Sequence, residues 1–225
     1  SILVVNDNDN KNYISEIQHV RRRETIAMTP ANTLHALKSL LNLKVPSNNT
    51  NNIDITKSSV LSSIKEITGA NTKAVVASSG LSMQYAIVMG LIHDAVENHK
   101  GKAIKIIVPP NCYGGTNDQA RRVAACINNV EVMDLPVDGG NDMVKSIDIV
   151  LEEIANQNAV PYIIAEIPTN PRVEVPDLLE LKNVLNKKRT TSTGETAIDP
   201  VFILDQTFCP NTHFLGENEI LASTK

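Results

Sequence analysis

The sequence lacks the patterns that hold a disulfide-stapled or metal-binding protein together. Its three cysteines, Cys112, Cys126 and Cys209, form no CxxC pair and do not make the dense, even set of a disulfide framework. HExxH spacing is also absent, and His213 is the only histidine near the carboxylate Asp205 in the sequence. We therefore expect no metal site and a reducing compartment, and we place the protein in the cytoplasm.

Long apolar runs, an export signal and an excess of basic charge are missing as well. No stretch has the length of a membrane-spanning helix, and SILVVNDNDNKN has neither the basic start nor the continuous apolar core of a secretory signal. The net charge is −4 and the pI is near 5.7. These values argue against nucleic acid or an anionic membrane as the main partner and favour a small molecule.

Hydrophobic residues make up 42% of the 225 residues, which is enough for one large domain, or for one domain with an appendage. Residues 1–57 differ from the rest, because Arg21, Arg22 and Arg23 form a basic cluster and VPSNNTNNIDIT is rich in asparagine. We predict an irregular N-terminal arm and linker over 1–57, containing one packed helix in TPANTLHALKSLLNL, and an α/β domain over 58–225.

From Ser58 onward, helical and strand patterns alternate, which is typical of βα units around a mostly parallel sheet. Strands are predicted over 74–78, 103–108, 130–135, 160–166 and 201–205. Five helices are predicted: SSVLSSIKEITG, 81–98, 116–128, NDMVKSIDIVLEEIANQ and PDLLELKNVLNKK. The first should turn Val60, Leu61, Ile64 and Ile67 inward. The second should carry Met83, Ile87, Leu91 and Ala95 on one face.

Chemically useful turns follow four of these strands: SSGLS, YGGT, PTNP and LDQTF. The carboxyl ends of strands in a parallel sheet face one crevice, so Gly80, Tyr113, Asn170 and Asp205 are expected to converge there. The pattern predicts one ligand site rather than four separate loops.

Each turn has both a ligand-binding and an ordinary interpretation. The amides that open the helix after SSGLS favour an anion such as phosphate, with Gly80 allowing close approach, or they belong to an ordinary capped helix. Tyr113 offers a ring on which a planar cofactor could stack, or it is a half-buried tyrosine in a tight turn. Asp205 ends an apolar strand, where its carboxylate needs a partner. It caps a helix, binds a metal or pairs with a protonated ring nitrogen.

In this order, SSGLS, CYGGT, EIPTNP and LDQTF resemble the pyridoxal-phosphate (PLP) enzymes of cysteine and methionine metabolism, the group of cystathionine synthases and lyases and methionine γ-lyase. The resemblance covers about Ser58 to Phe208. It implies a type I aminotransferase-like large domain, PLP as cofactor, an amino-acid substrate, and a homodimer or homotetramer. It further implies a transsulfuration-type lyase or transferase, which eliminates or replaces a substituent on a sulfur-containing amino acid.

The resemblance assigns a role to individual residues. Gly80 and Leu81 would offer amides to the cofactor phosphate with Ser79 beside them, and Tyr113 would lie over the ring and assist proton transfer or departure of the leaving group. Asn170 would orient the substrate carboxylate or the ring hydroxyl side, and Asp205 would pair with the ring nitrogen with Thr207 nearby. The family's Schiff-base lysine follows Ser-x-Thr, so LASTK makes Lys225 the candidate with Thr224 beside it, unless that lysine lies beyond the chain end.

The chain departs from the family at three points. Ala222 stands three positions before the lysine where the family has serine, the Tyr-x-Arg of the family's arm is missing, and the C-terminal small domain is absent from this chain. An aminotransferase or decarboxylase of the same fold and a non-catalytic homologue therefore stay open. A Rossmann-type nucleotide-binding enzyme is a weaker alternative, because SSGLSMQ has one glycine where G-x-G-x-x-G has three.

Overall fold

A computed structural model of the protein describes residues 30–44, 52–137, 142–216 and 219–223. The chain divides into two compact units, residues 1–58 and 59–225. The basic cluster Arg21, Arg22 and Arg23 and the pair Thr224 and Lys225 lie outside the described residues. The domain division predicted from composition stays a prediction, as does the irregular character of the arm.

The described part of the chain alternates helices and parallel strands. The helices are α1 (Pro30–Leu40), α2 (Ile53–Thr68), α3 (Gly80–Asn98), α4 (Gly114–Cys126), α5 (Met143–Asn156) and α6 (Leu178–Asn186), and a short 3-10 helix covers Ile220–Ser223. The strands are β1 (Ile104–Val108), β2 (Val130–Asp134), β3 (Val160–Glu166) and β4 (Val201–Asp205). No described helix is both long and apolar enough to cross a bilayer.

The four strands form one sheet in the order β2-β1-β3-β4, and every neighbouring pair is parallel. The predicted α/β class with a mostly parallel sheet is therefore confirmed. The chain leaves β1 for β2 on one side and then crosses to β3 on the other side of β1. This reversal makes the gap beyond the carboxyl ends of β1 and β3 a topological switch point, where open α/β sheets bind their ligands.

Both faces of the sheet are covered, which explains why the strands are continuous apolar runs. Ile106 and Ile164 pack on one face in a cluster with Val88, Ile92 and Val123 of α3 and α4. On the other face, a second cluster joins β1 and β3 to α5, α6 and the 3-10 helix, with Ile107, Ile163, Ile147, Leu181 and Leu221 among its members. Full burial of one such side chain contributes about 1.5–3 kcal/mol, so the two clusters hold the strand ends in place.

The predicted strand 74–78 is wrong. The segment forms no ladder with any described strand, and Val75 and Val76 are 65% and 46% exposed. Its apolar residues match strand propensity, but a strand exists only when a neighbour supplies hydrogen-bond partners.

Three helical faces also differ from the prediction. Helix α1 forms where the leucine spacing placed it, yet none of its residues is buried, and Leu34 and Leu37 are more than half exposed. In α2, Val60 and Ile67 are exposed rather than inward. Helix α3 buries Val88, Ile92 and Ala95, because the stripe facing the sheet is shifted from the predicted stripe, in which Ile87 is 37% exposed. The spacing identified the helices, but each helix's neighbours decide which face is covered.

Candidate ligand site at the switch point

The switch point is bordered by the loop after β1, which leads to Tyr113, and by the end of β3, which leads through Glu166 to Asn170. Glu166 joins the two sides. Its Oε1 accepts a hydrogen bond from the backbone N–H of Tyr113 at 2.7 Å. The backbone amide of Asn170 lies near enough to favour the charged form of the same carboxyl group. Two residues predicted for the site, Tyr113 and Asn170, thus lie at one side chain.

Sequence reasoning missed Glu166. It is the last residue of β3, it is only 8% exposed, and its Oε2 has no hydrogen-bond partner among the residues that the structure describes. The available signal was a carboxylate at the end of the strand that is continuous with the apolar core. Such a group is costly to bury unless it is hydrogen-bonded or paired with a cation.

Asp205 is the partner of Glu166 in the ladder between β3 and β4, so two carboxylates lie side by side at the carboxyl edge of the sheet. Burial raises the pKa of Glu166, and the charge of Asp205 raises it further against the opposing hydrogen bonds from the Tyr113 and Asn170 amides. Two adjacent acids, one of them with an unpartnered oxygen, form an environment that favours a cationic N–H donor.

Asp205 also closes a local turn. Its Oδ1 accepts the Thr207 backbone N–H at 2.9 Å and the Thr207 hydroxyl at 2.6 Å. Of the interpretations that the sequence left open for Asp205, a helix cap is not observed, because no helix begins in the described residues 206–216. The described residues contain no group of three or more histidine, cysteine, aspartate or glutamate side chains suited to a metal ion.

The side chains of Tyr113 and Leu81 both lie against Gly115, near the start of α4. A Cβ added at Gly115 would lie 2.5 Å from Cε1 of Tyr113 and 3.0 Å from Cδ1 of Leu81, so only glycine leaves room for both side chains. Tyr113 is 46% exposed, and its ring is therefore open to a ligand on part of its surface. Gly115 is thus a common neighbour of Tyr113, in the loop after β1, and of Leu81, in the first turn of α3.

The first turn of α3 presents free amides, as every helix start does. Ser79 is the N-cap, and its Oγ accepts the Ser82 N–H at 3.1 Å. Gly80 has open space where a Cβ would be, so an approaching group meets no side chain there. Gln119 of α4 donates to the Leu81 carbonyl at 3.0 Å and ties this turn to the next helix.

Cys112 lies beside Tyr113 and is buried. Burial raises the pKa of its thiol to about 12, with further contributions from the charges of Glu166 and Asp205. The thiol therefore stays neutral at physiological pH and is a poor nucleophile. Its place next to the two carboxylates makes it part of the wall of the site rather than a reactive group.

Together these residues fit a small ligand with three chemical features. The carboxylates of Glu166 and Asp205 suit a cationic nitrogen, the ring of Tyr113 suits a planar surface, and the first turn of α3 suits an anion. Leu81 and Tyr113 both lie against Gly115, the Tyr113 amide donates to Glu166, and Asp205 is the ladder neighbour of Glu166. The structure thus links three of the predicted site residues, Leu81, Tyr113 and Asp205, and the Asn170 amide lies near the Glu166 carboxyl group. Thr224 and Lys225 lie outside the described residues.

The fold and this site define the chain as a parallel α/β protein with a candidate ligand site at its switch point. No protein-family model and no curated protein matches the sequence. Similar solved structures include a cystathionine γ-lyase from Micromonospora echinospora, with 19% identity over 69% of this chain and a TM-score of 0.47. An O-acetylhomoserine sulfhydrylase of the methionine biosynthetic pathway from Wolinella succinogenes has 19% identity over 66% of this chain and a TM-score of 0.42.

A serine palmitoyltransferase from S. paucimobilis, with bound PLP, has 15% identity over 67% of this chain and a TM-score of 0.45. The matches cover 33%, 35% and 31% of the lyase, sulfhydrylase and palmitoyltransferase chains, so this chain spans about a third of their length. The lyase and the sulfhydrylase belong to the group that the four motifs resemble. At identities of at most 19% and TM-scores below 0.5, these likenesses do not define the activity of this chain.

Proposed function

We propose that this chain is the PLP-binding part of an enzyme that eliminates or replaces a substituent on a sulfur-containing amino acid. The observation that carries the proposal is the gathering of Leu81, Tyr113, Asn170 and Asp205 around the switch point. The motif resemblance predicted these same residues as the site. Glu166 adds support, because its unpartnered oxygen beside Asp205 leaves a place for a cation.

In the proposed complex, the amides of Gly80 and Leu81 bind the phosphate, with the Ser79 hydroxyl beside them. The ring of Tyr113 lies against the face of the pyridine, which explains why this side chain stays partly exposed. Asp205 pairs with the protonated ring nitrogen through the oxygen that Thr207 does not occupy, and the Thr207 turn fixes the rotamer of Asp205.

Bound PLP supplies an electron-withdrawing ring that makes the Cα proton of an attached amino acid acidic. The protein residues then position and move protons. Tyr113 assists departure of the side-chain substituent, and Asn170 orients the substrate carboxylate or the ring hydroxyl side. Lys225 binds the cofactor and removes the Cα proton, with Thr224 beside it as a cofactor contact.

The same site would also suit an aminotransferase, a decarboxylase or a non-catalytic homologue. An activity assay with amino-acid substrates distinguishes these alternatives. The Rossmann-type alternative is weakened by the fold, since its phosphate-binding turn must follow a sheet strand and 74–78 forms none with the described strands. The proposed enzyme is cytoplasmic and works as a homodimer or homotetramer. Light scattering during size-exclusion chromatography measures the oligomeric state.

The test is titration of the full-length protein with PLP, followed by visible absorbance. We expect a protein-bound cofactor band that borohydride removes, with the reduced label found on Lys225 by peptide mapping. A folded full-length protein that binds no PLP would end the proposal, whereas a label on another lysine would remove only Lys225. Incubation of the loaded protein with cystathionine, methionine and O-acetylhomoserine then distinguishes elimination from replacement by its products.

A further inference from the structure

The carboxyl group of Glu166 is attached to the most rigid part of the site. Glu166 ends β3, a strand buried along its whole length and paired with both β1 and β4. The loop after β1 is less constrained, because Tyr113 follows the strand rather than belonging to it. A side chain fixed in the sheet therefore determines where the backbone of this loop lies at Tyr113.

The chemistry at Glu166 indicates why a carboxyl group is there. An apolar side chain would avoid the cost of burying a carboxylate next to Asp205, but it would leave the Tyr113 amide without its acceptor. One oxygen accepts this amide, and the other is unpartnered in the described structure. The position is thus costly for folding and useful for the placement of the loop that carries Tyr113.

We propose that Glu166 is a positioning residue that fixes Tyr113 at the ligand site by accepting its backbone amide. The identity of the ligand rests on the proposed function, but the positioning itself is a property of this chain and is measurable without PLP. It requires an acceptor oxygen at the reach of a glutamate side chain, and it does not require the negative charge.

Two conservative substitutions separate reach from charge. Glu166→Gln keeps the reach and one carbonyl oxygen but removes the charge, whereas Glu166→Asp keeps the charge and withdraws the carboxylate by one methylene group. Glu174→Asp is the matched control, because Glu174 lies in the connection after Asn170 with a 57% exposed side chain. Each full-length variant is first compared with wild type by thermal unfolding.

The first measurement is hydrogen exchange at the Tyr113 amide in the protein without PLP. We expect this amide to exchange roughly tenfold faster or more in Glu166→Asp, at a rate close to wild type in Glu166→Gln, and at an unchanged rate in Glu174→Asp. Fast exchange in Glu166→Gln together with wild-type exchange in Glu166→Asp would assign the effect to charge and overturn the proposal. Unchanged exchange in both Glu166 variants would overturn it as well.

The second measurement is the circular dichroism that PLP acquires when bound, which reports the orientation of its ring against its surroundings. Glu166→Asp should change this signal and weaken PLP binding by roughly tenfold, whereas Glu166→Gln should restore the wild-type signal. If wild-type protein binds no PLP, the proposed function fails, and the exchange measurement still decides the role of Glu166. A PLP signal equal to wild type in Glu166→Asp would contradict positioning of Tyr113.

Discussion

The neighbouring glycines Gly115 and Gly114 allow a matched test of the site, in which the same methyl group is added at one position or at the next. A Cβ at Gly115 would lie 2.5 Å from the Tyr113 ring and 3.0 Å from Leu81, so one of these side chains must move in Gly115→Ala. A Cβ at Gly114 meets no atom within 4 Å. Both glycines are in the first turn of α4, so their backbone surroundings are closely matched.

The two variants should differ in ligand binding more than in stability. Replacing glycine by alanine in a helix stabilises it by up to about 1 kcal/mol, which for a chain of this size raises the melting temperature by about 2–4 °C. Gly114→Ala should show this gain. In Gly115→Ala the gain is offset by displacement of the Tyr113 ring, which is 46% exposed and has room to rotate outward. We therefore expect its melting temperature to stay within a few degrees of wild type.

Displacement of Tyr113 removes the surface on which we place the PLP ring. Contact with an aromatic ring contributes about 0.5–1.5 kcal/mol beyond area burial, so Gly115→Ala should weaken PLP binding by roughly two- to thirteenfold, and Gly114→Ala should not change it. The assay is an absorbance titration with PLP next to a thermal melt. Equal affinity in both variants and wild type would refute the role of Tyr113, and a loss of many degrees in Gly115→Ala would refute the outward rotation.

Three further predictions concern single side chains. Asp205→Ala should abolish turnover or severely weaken it, because the ring nitrogen loses its counter-charge; wild-type turnover would remove Asp205 from the site. A thiol reagent at pH 8 should label exposed Cys126 quickly and spare Cys112 in the folded protein, because burial raises the pKa of Cys112 to about 12; rapid labelling of both would contradict this. Asp148→Asn should lower the stability by about 1–2 kcal/mol at pH 7, measured by denaturant unfolding.

The effect of Asp148 should depend on pH in a definite direction. Burial alone would raise the pKa of Asp148, but hydrogen bonds from Lys187 and Arg189, with the attraction of their charges, hold it below its ordinary value of 3.8. The stabilising effect is therefore complete above the unfolded-state pKa and is lost as the pH falls through the lower folded-state pKa. The difference between wild type and Asp148→Asn should shrink in strong acid, and a constant difference would contradict this account.

The sequence predicted those elements whose cause is local. Strands 160–166 and 201–205 were predicted with the bounds that the structure has, because each is a continuous apolar run ending at a polar turn. Residues 74–78 have a similar composition, yet they form no strand with the described sheet. What distinguishes them is a neighbouring strand, and pairing between distant segments is not encoded in a five-residue window.

The same distinction between local and long-range causes applies to the site residues. Tyr113 was found because it lies in the turn after β1, and Asp205 because it ends β4. Their place at one edge of the sheet follows from parallel topology. Glu166 has the same local signature, a carboxylate at the end of an apolar run, but its importance depends on which loop amides reach it. Those partners are 53 residues away in the case of Tyr113, and only the folded chain identifies them.

The placement of Glu166 beside Asp205 also bears on how the site can work. Two adjacent carboxylates repel each other, so one of them gains stability by keeping its proton or by meeting a cation, and the raised pKa of Glu166 follows from burial and from this repulsion. A ligand that brings a protonated nitrogen relieves the repulsion, whereas a neutral ring does not. The acidic pair therefore suits a ligand that carries a protonated nitrogen.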